Sequence, residues 1–150
     1  MYPKDHKQRA IVNQRLCFNL AYFYTAILDV ILLPMFFDYP RTEQGMRRII
    51  QGLEAFEEYL KRVGKRFVAG DDLTIADISL VCSLSNMEAI ECNLQDYPLI
   101  EKWYANFKQD FPELWIICEA AMKEIAFFEK NPPDLSAMIH PIHPIKKLTK

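Results

Sequence analysis

Leu73-Thr-Ile-Ala-Asp-Ile-Ser-Leu-Val-Cys-Ser-Leu-Ser85 is the stretch on which the fold turns. Thr74 can accept a hydrogen bond from the backbone N–H of Asp77, three residues on, and Asp77 can reach back to the N–H of Thr74. That reciprocal pattern is a capping box, with Asp in place of the usual Glu. Leu73 before the cap and Ile78 after it hold the two staple positions that set the angle of the chain at the helix start. Beyond the cap, Ala76, Ile78, Leu80, Val81, Cys82 and Leu84 make the segment apolar on every side. A short helix of that kind belongs in the middle of a domain, with other helices packed around it.

Upstream of this segment, Lys65 to Asp72 reads as a connector and Gly64 as a left-handed helix stop. Before it, Thr42 or Arg41 opens a helix with the stripe Met46, Ile49, Ile50, Leu53, Phe56, Leu60 and Val63, the three-four spacing of one buried face. Glu57–Lys61 and Glu58–Arg62 stand as i,i+4 pairs on its outer side. Further back, Asp5 caps a helix that continues through Arg9 and Arg15 into Leu16–Phe37, LCFNLAYFYTAILDVILLPMFF. That stretch is long enough to cross a membrane, with Asp29 its single charge. Asn19, Asp29, Pro34 and the polar lead-in favour the central helix of a soluble bundle instead. Pro34 and the Asp38-Tyr39-Pro40 turn are expected to end or kink it.

Downstream, the capped helix reaches about Ile90, and Asn93 to Tyr97 form a loop. Pro98 suits the first turn of a helix carrying Ile100, Trp103, Tyr104 and Phe107. Pro112 opens a last helix with the stripe Leu114, Ile117, Cys118, Ala121, Met122, Ile125 and Phe128, stopped by Asn131-Pro-Pro133. The expectation is an all-α, five-helix bundle over residues 1–131, followed by a Pro-rich extended tail over 132–150.

Composition agrees with one globular domain: 150 residues, 51% apolar and 25% charged. A net charge of −2 gives no general reason to expect nucleic acid or an anionic membrane as partner. Cys17, Cys82, Cys92 and Cys118 lie in or near apolar helical segments with no CxxC spacing, which reads as buried free thiols in a reducing compartment. The polar start MYPKDHKQR does not read as a signal peptide.

Searches for chemistry return little. The sequence has no Gly-rich phosphate loop, no HExxH and no nucleophile beside a base. His140 and His143 sit in a proline-broken tail and read as exposed residues rather than metal ligands. Asp29 reads as a hydrogen-bonded structural acid, and the Lys146, Lys147 and Lys150 ending as solvated charge. No catalytic, cofactor-binding or metal-binding residue is expected. The first long helix, however, holds more aromatic and aliphatic residues than one buried face requires: Phe18, Tyr22, Phe23, Tyr24, Phe36 and Phe37. Leu20, Tyr24, Ile27 and Ile31 fall at four-three-four spacing along one side. Either all of this is internal packing, or a second apolar face awaits another domain, another subunit or an apolar ligand.

Three motifs in order carry a resemblance. YPKD-x-x-x-RA-x-VNQRL at Tyr2 to Leu16, LTIAD at Leu73 to Asp77 and YP-x-x-x-x-WY at Tyr97 to Tyr104 resemble the C-terminal helical domain of cytosolic glutathione S-transferases, nearest the insect delta and epsilon classes. The resemblance covers Tyr2 to Phe128. It implies a domain that supplies the hydrophobic substrate pocket, beside a thioredoxin-like domain that binds glutathione and activates its thiol. The chain begins where the family's interdomain linker ends, so that domain is expected outside these residues, and the 150 residues alone are expected to be inactive. By position, the resemblance implies substrate contacts at Leu20, Tyr24, Ile27, Leu32 and Phe36. Asn19 replaces a usual Asp, Asp29 matches a family acid, and Val30 to Leu33 replace an aromatic cluster, which suggests a more aliphatic pocket. Thr74 and Asp77 match the family's structural capping box. Also implied are glutathione as cosubstrate of the full enzyme, hydrophobic electrophiles as ligands, a homodimer built on the first two helices, a cytoplasmic location, and no nucleic-acid or membrane partner. The alternatives are a non-catalytic protein-interaction module or an apolar-ligand carrier.

Overall fold

A computed structural model describes residues 1–37 and 39–134. It contains five helices: α1 (His6–Phe37), α2 (Glu43–Val63), α3 (Ile75–Ala89), α4 (Pro98–Asp110) and α5 (Pro112–Lys130). No strand occurs among the described residues; Phe67 and Gly70 form an isolated bridge in the connector. The expected five-helix, all-α bundle is therefore the observed one. Of the expected tail, only residues 132–134 fall among the described residues. His140, His143 and the basic ending lie outside them.

The middle of the bundle is α3. Ala76, Leu80, Val81 and Leu84 are fully buried there, and Asp77, Ser83, Ser85 and Asn86 are buried with them. Around it, α1 and α5 make the most extensive contacts. Its start is the capping box read from the sequence, and Leu73 and Ile78 both pack against the core. Asp77 does more than cap. Its carboxylate accepts from the Thr74 N–H at 2.9 Å, the Thr74 hydroxyl at 2.8 Å, the Val68 N–H at 2.9 Å and the Trp103 Nε1–H at 3.3 Å. One side chain thus joins the connector, the head of α3 and the face of α4. Burial pushes its carboxyl up, while these donors pull the other way. Val68 is held from its other side too, because the buried Arg15 guanidinium donates to its carbonyl at 3.0 Å.

The α1 helix is continuous through Pro34. The Asp5 carboxylate accepts from the Gln8 N–H at 2.9 Å at its start, and the helix ends at Phe37. Two π turns, Asn19–Phe23 and Leu28–Leu32, interrupt its α geometry. In the first, the Tyr24 N–H reaches the Asn19 carbonyl, and in the second the Leu33 N–H reaches that of Leu28. Proline has no N–H to give the preceding turn. The Val30 carbonyl, four residues before Pro34, takes the Arg41 Nε–H at 2.9 Å instead. The helix therefore does not end at Pro34 but at Phe37, just before the Asp38-Tyr39-Pro40 segment: the π turn resets the ladder ahead of the proline, and a guanidinium serves the carbonyl left over. By length and apolar content α1 could cross a membrane. Here its middle, Phe23, Ala26, Ile27, Val30 and Ile31, is core.

The Thr42 hydroxyl caps α2 by accepting from the Gly45 N–H at 3.0 Å, and Gly64 closes it at φ 56°. Its stripe is narrower than the spacing suggested. Ile49, Leu53, Phe56 and Leu60 are buried, whereas Met46 is 43% and Ile50 46% exposed. Glu58–Arg62 forms as expected at 2.8 Å, but Glu57 does not pair with Lys61. Its two oxygens accept from the Leu99 and Ile100 N–H groups at 3.0 and 2.9 Å, capping α4 from another helix. Tyr97, at the N-cap of α4, provides no side-chain cap, so this loan satisfies otherwise orphaned donors.

Along α5, Cys118 is the residue most deeply placed, with Leu114, Trp115, Ile125 and Phe128 half-buried against the core. Ile117, expected on the buried stripe, is 70% exposed, and Ala121 is also exposed. The thiols likewise differ from expectation: Cys118 is buried and Cys92 half-buried, but Cys17 and Cys82 are exposed.

Candidate functional site

The expected contact residues of α1 fall into two groups. Leu20 is 73% exposed, while Tyr24, Leu32 and Phe36 are half-buried. Ile27 is fully buried among the core residues, as is Ile31. The four-three-four file therefore does not run along one side. A file at steps of four does: Leu20, Tyr24, Leu28, Leu32 and Phe36 all retain surface. An α turn advances 3.6 residues, and the longer rings of the π turns let steps of four keep to one side of the helix. Leu28 is the member that sequence reasoning missed. Nothing in a residue list announces a π turn, so the shift of phase from Ile27 to Leu28 had no local signal.

The two ends of this file differ. At the C-terminal end, Phe36 meets Phe128 of α5 edge to face, with ring centroids 5.5 Å apart. The Arg41–Glu129 ion pair at 2.5 Å ties the chain beyond α1 to the same helix. At the N-terminal end, Leu20 has no such cover.

Polar groups on the helix are accounted for. Asn19 is buried and faces α3, where its amide Nδ2 donates to the Ser79 carbonyl at 3.0 Å and the Ser79 hydroxyl at 2.7 Å. Its Oδ1 accepts from the Ser83 hydroxyl at 2.8 Å. A carboxylate could not supply the donor half of that set, which gives a physical reason for Asn at this position. Asp29 pairs with Arg48 at 2.6 Å, and Arg48 also donates to the Thr25 hydroxyl at 2.9 Å. The acid therefore links α1 to α2.

A cleft of about 420 Å³ lies between the first residues and the connector, lined by Met1, Pro3, Val12, Gly70, Leu73 and Thr74 among others. A second, of about 380 Å³, is lined by Asp29, Tyr39, Thr42 and Arg48 among others. Leu20, Tyr24, Leu32 and Phe36 line neither. Among the described residues, no group of three or more His, Cys, Asp or Glu side chains is arranged to hold a metal ion.

A further cluster joins three helices. The Lys108 ammonium donates to both Glu88 oxygens at 2.8 and 2.6 Å, and the Tyr104 hydroxyl donates to Glu88 at 2.8 Å. Lys108 also sits 4.2 Å from the Tyr104 ring centroid and 4.3 Å from that of Trp115. Burial, followed by the Glu88 carboxylate, pushes the Tyr104 hydroxyl far above the ordinary phenol range. Every member is paired, so the cluster serves as a pin between α3, α4 and α5.

These features define a helical domain whose central helix is fixed by a buried, multiply bonded aspartate and whose first helix keeps an apolar file open. Residues 23–110 match the family described as Glutathione S-transferase, C-terminal domain. The chain belongs to that family. It is 28% identical over 112 residues to glutathione S-transferase D6 of Drosophila melanogaster, covering 75% of this chain and 51% of that protein. Against the crystal structure of a diazinon-metabolizing glutathione S-transferase of the silkworm Bombyx mori it is 43% identical, with a TM-score of 0.76 over 83% of this chain and 58% of that one. Against a delta-class glutathione transferase of Nilaparvata lugens it is 34% identical, with a TM-score of 0.78 over 88% and 61% of the two chains. The chain thus spans about half to three-fifths of the length of these relatives. The likeness extends to insect delta and epsilon classes alike.

Proposed function

We propose that this chain supplies the hydrophobic-substrate-binding surface of a glutathione S-transferase that joins glutathione to hydrophobic electrophiles. Family membership supports the reaction class, and the open file on α1 is the observation that carries the binding role. In this reading Leu20, Tyr24, Leu32 and Phe36 face the electrophile with Leu28 between them, and Ile27 backs them from the core. Glutathione is held and its thiol activated by a thioredoxin-like domain. The helical domain contributes by holding the electrophile near the sulfur, which replaces a bimolecular encounter with an oriented one. Exposed Met46 and Ile50 on α2 support a homodimer whose interface includes α1 and α2. The working location is the cytosol.

On its own the chain is expected to bind apolar ligands without turnover. Titration with a fluorescent hydrophobic probe tests the first half. Leu32→Asp and Tyr24→Ala should each weaken probe binding several-fold, while Ile117→Asp, on the exposed side of α5, should leave it unchanged. Equal binding by all variants would remove the α1 file from the account.

A further inference from the structure

Cys82 of α3 and Cys118 of α5 bring their sulfurs to 3.5 Å where these two helices pack together. Cys82 is exposed and Cys118 buried, so the pair has one thiol open to solvent and one held directly behind it. From this geometry we propose that Cys82 and Cys118 are a redox-responsive pair that closes to an intrachain disulfide when the protein meets hydrogen peroxide. A disulfide needs sulfurs about 2.0 Å apart, so closure requires a further approach of about 1.5 Å.

The exposed thiol reacts first. As its thiolate, Cys82 attacks one peroxide oxygen; the O–O bond breaks, and the departing hydroxide is protonated to water. Cys82 is then a sulfenic acid. The Cys118 sulfur attacks the Cys82 sulfur, the S–O bond breaks, and the hydroxide released takes the Cys118 proton to form a second water. Two thiols and one hydrogen peroxide thus become one disulfide and two waters. Burial and the neighbouring Cys82 thiol push the Cys118 thiol up to about 12, which keeps Cys118 protonated at neutral pH. Cys17, on α1, is also exposed. A thiol reductant would reopen the bond.

The test uses the full 150-residue chain at neutral pH with a small molar excess of hydrogen peroxide. Remaining thiols are then alkylated, and peptides are mapped by mass spectrometry without reduction. The expected product is a single linked pair, Cys82 with Cys118, that disappears when a thiol reductant is added before alkylation. In Cys118→Ser the linked pair should be lost and Cys82 recovered as an oxidised or trapped sulfenic acid. Recovery of wild-type Cys82 as an unlinked thiol or as sulfinic acid, with Cys118 alkylated, would overturn the proposal. So would linkage of Cys82 to another chain in preference to Cys118.

Discussion

Removing the Asp77 side chain would strand the Val68 N–H, the Thr74 N–H and the Trp103 indole N–H in a buried place, because all three donate to that one carboxylate. A lost helix cap typically costs about 1 kcal/mol, and each buried donor left without a partner costs about 1–3 kcal/mol more. Asp77→Ala should therefore destabilise the chain by about 3 kcal/mol or more. Thr74→Ala, which removes only the hydroxyl partner, should cost about 1 kcal/mol. Urea unfolding of the two variants checks the difference, and equal losses would mean that Asp77 acts as a cap alone. The capping role was legible from spacing, since Thr74 and Asp77 are three residues apart. The bonds to Val68 and Trp103 were not, because they depend on where a connector and another helix come to rest.

Between elements, close approach and lent caps decide the packing. A Cβ at Gly52 of α2 would lie 2.6 Å from Phe23 Cδ2. Phe23 is fully buried, with Phe18 and Phe56 on either side at centroid distances of 5.8 and 6.3 Å, so its ring has little room to turn aside. Overpacking costs about 1–3 kcal/mol, against a gain of about 1 kcal/mol from replacing Gly by Ala within a helix. Gly52→Ala should be net destabilising by about 1 kcal/mol, seen as a lower melting temperature. A stabilised variant would mean that α1 and α2 separate freely. For α4, Glu57→Ala removes the acceptor for two N-terminal amides. It should cost about 1 kcal/mol and speed hydrogen exchange at Leu99 and Ile100 in particular. Unchanged exchange there would contradict the lent cap. Helix number, caps at Asp5, Thr42 and Thr74, and the stop at Gly64 were readable because each is local. The π turns of α1, the fate of Glu57 and the exposure of Ile117 are set by neighbours, and local spacing pointed elsewhere.

Across the whole molecule, the unresolved question for the sequence was where the surplus of apolar residues on α1 goes. Much of it is core: Phe23, Ala26, Ile27, Val30 and Ile31 fill the space between α2 and α3. What remains outside is the file from Leu20 to Phe36, on which the proposed binding role rests. The family was readable from three motifs, two of them belonging to structural caps and helix starts. Such motifs mark how the domain folds and leave its ligand unspecified. Exposed Met46 and Ile50 give the subunit contact its own check: Met46→Glu with Ile50→Glu should shift the protein toward monomer in light scattering. An unchanged mass would place any interface elsewhere.

The most direct measurement joins a thioredoxin-like domain from a delta-class relative to the front of this chain and follows conjugation of glutathione to an apolar aryl halide. The account predicts turnover by the joined protein, none by the 150-residue chain alone, and a several-fold higher KM for Leu32→Asp in the joined form. A well-folded joined protein that binds glutathione yet forms no conjugate, or turnover indifferent to Leu32, would contradict it.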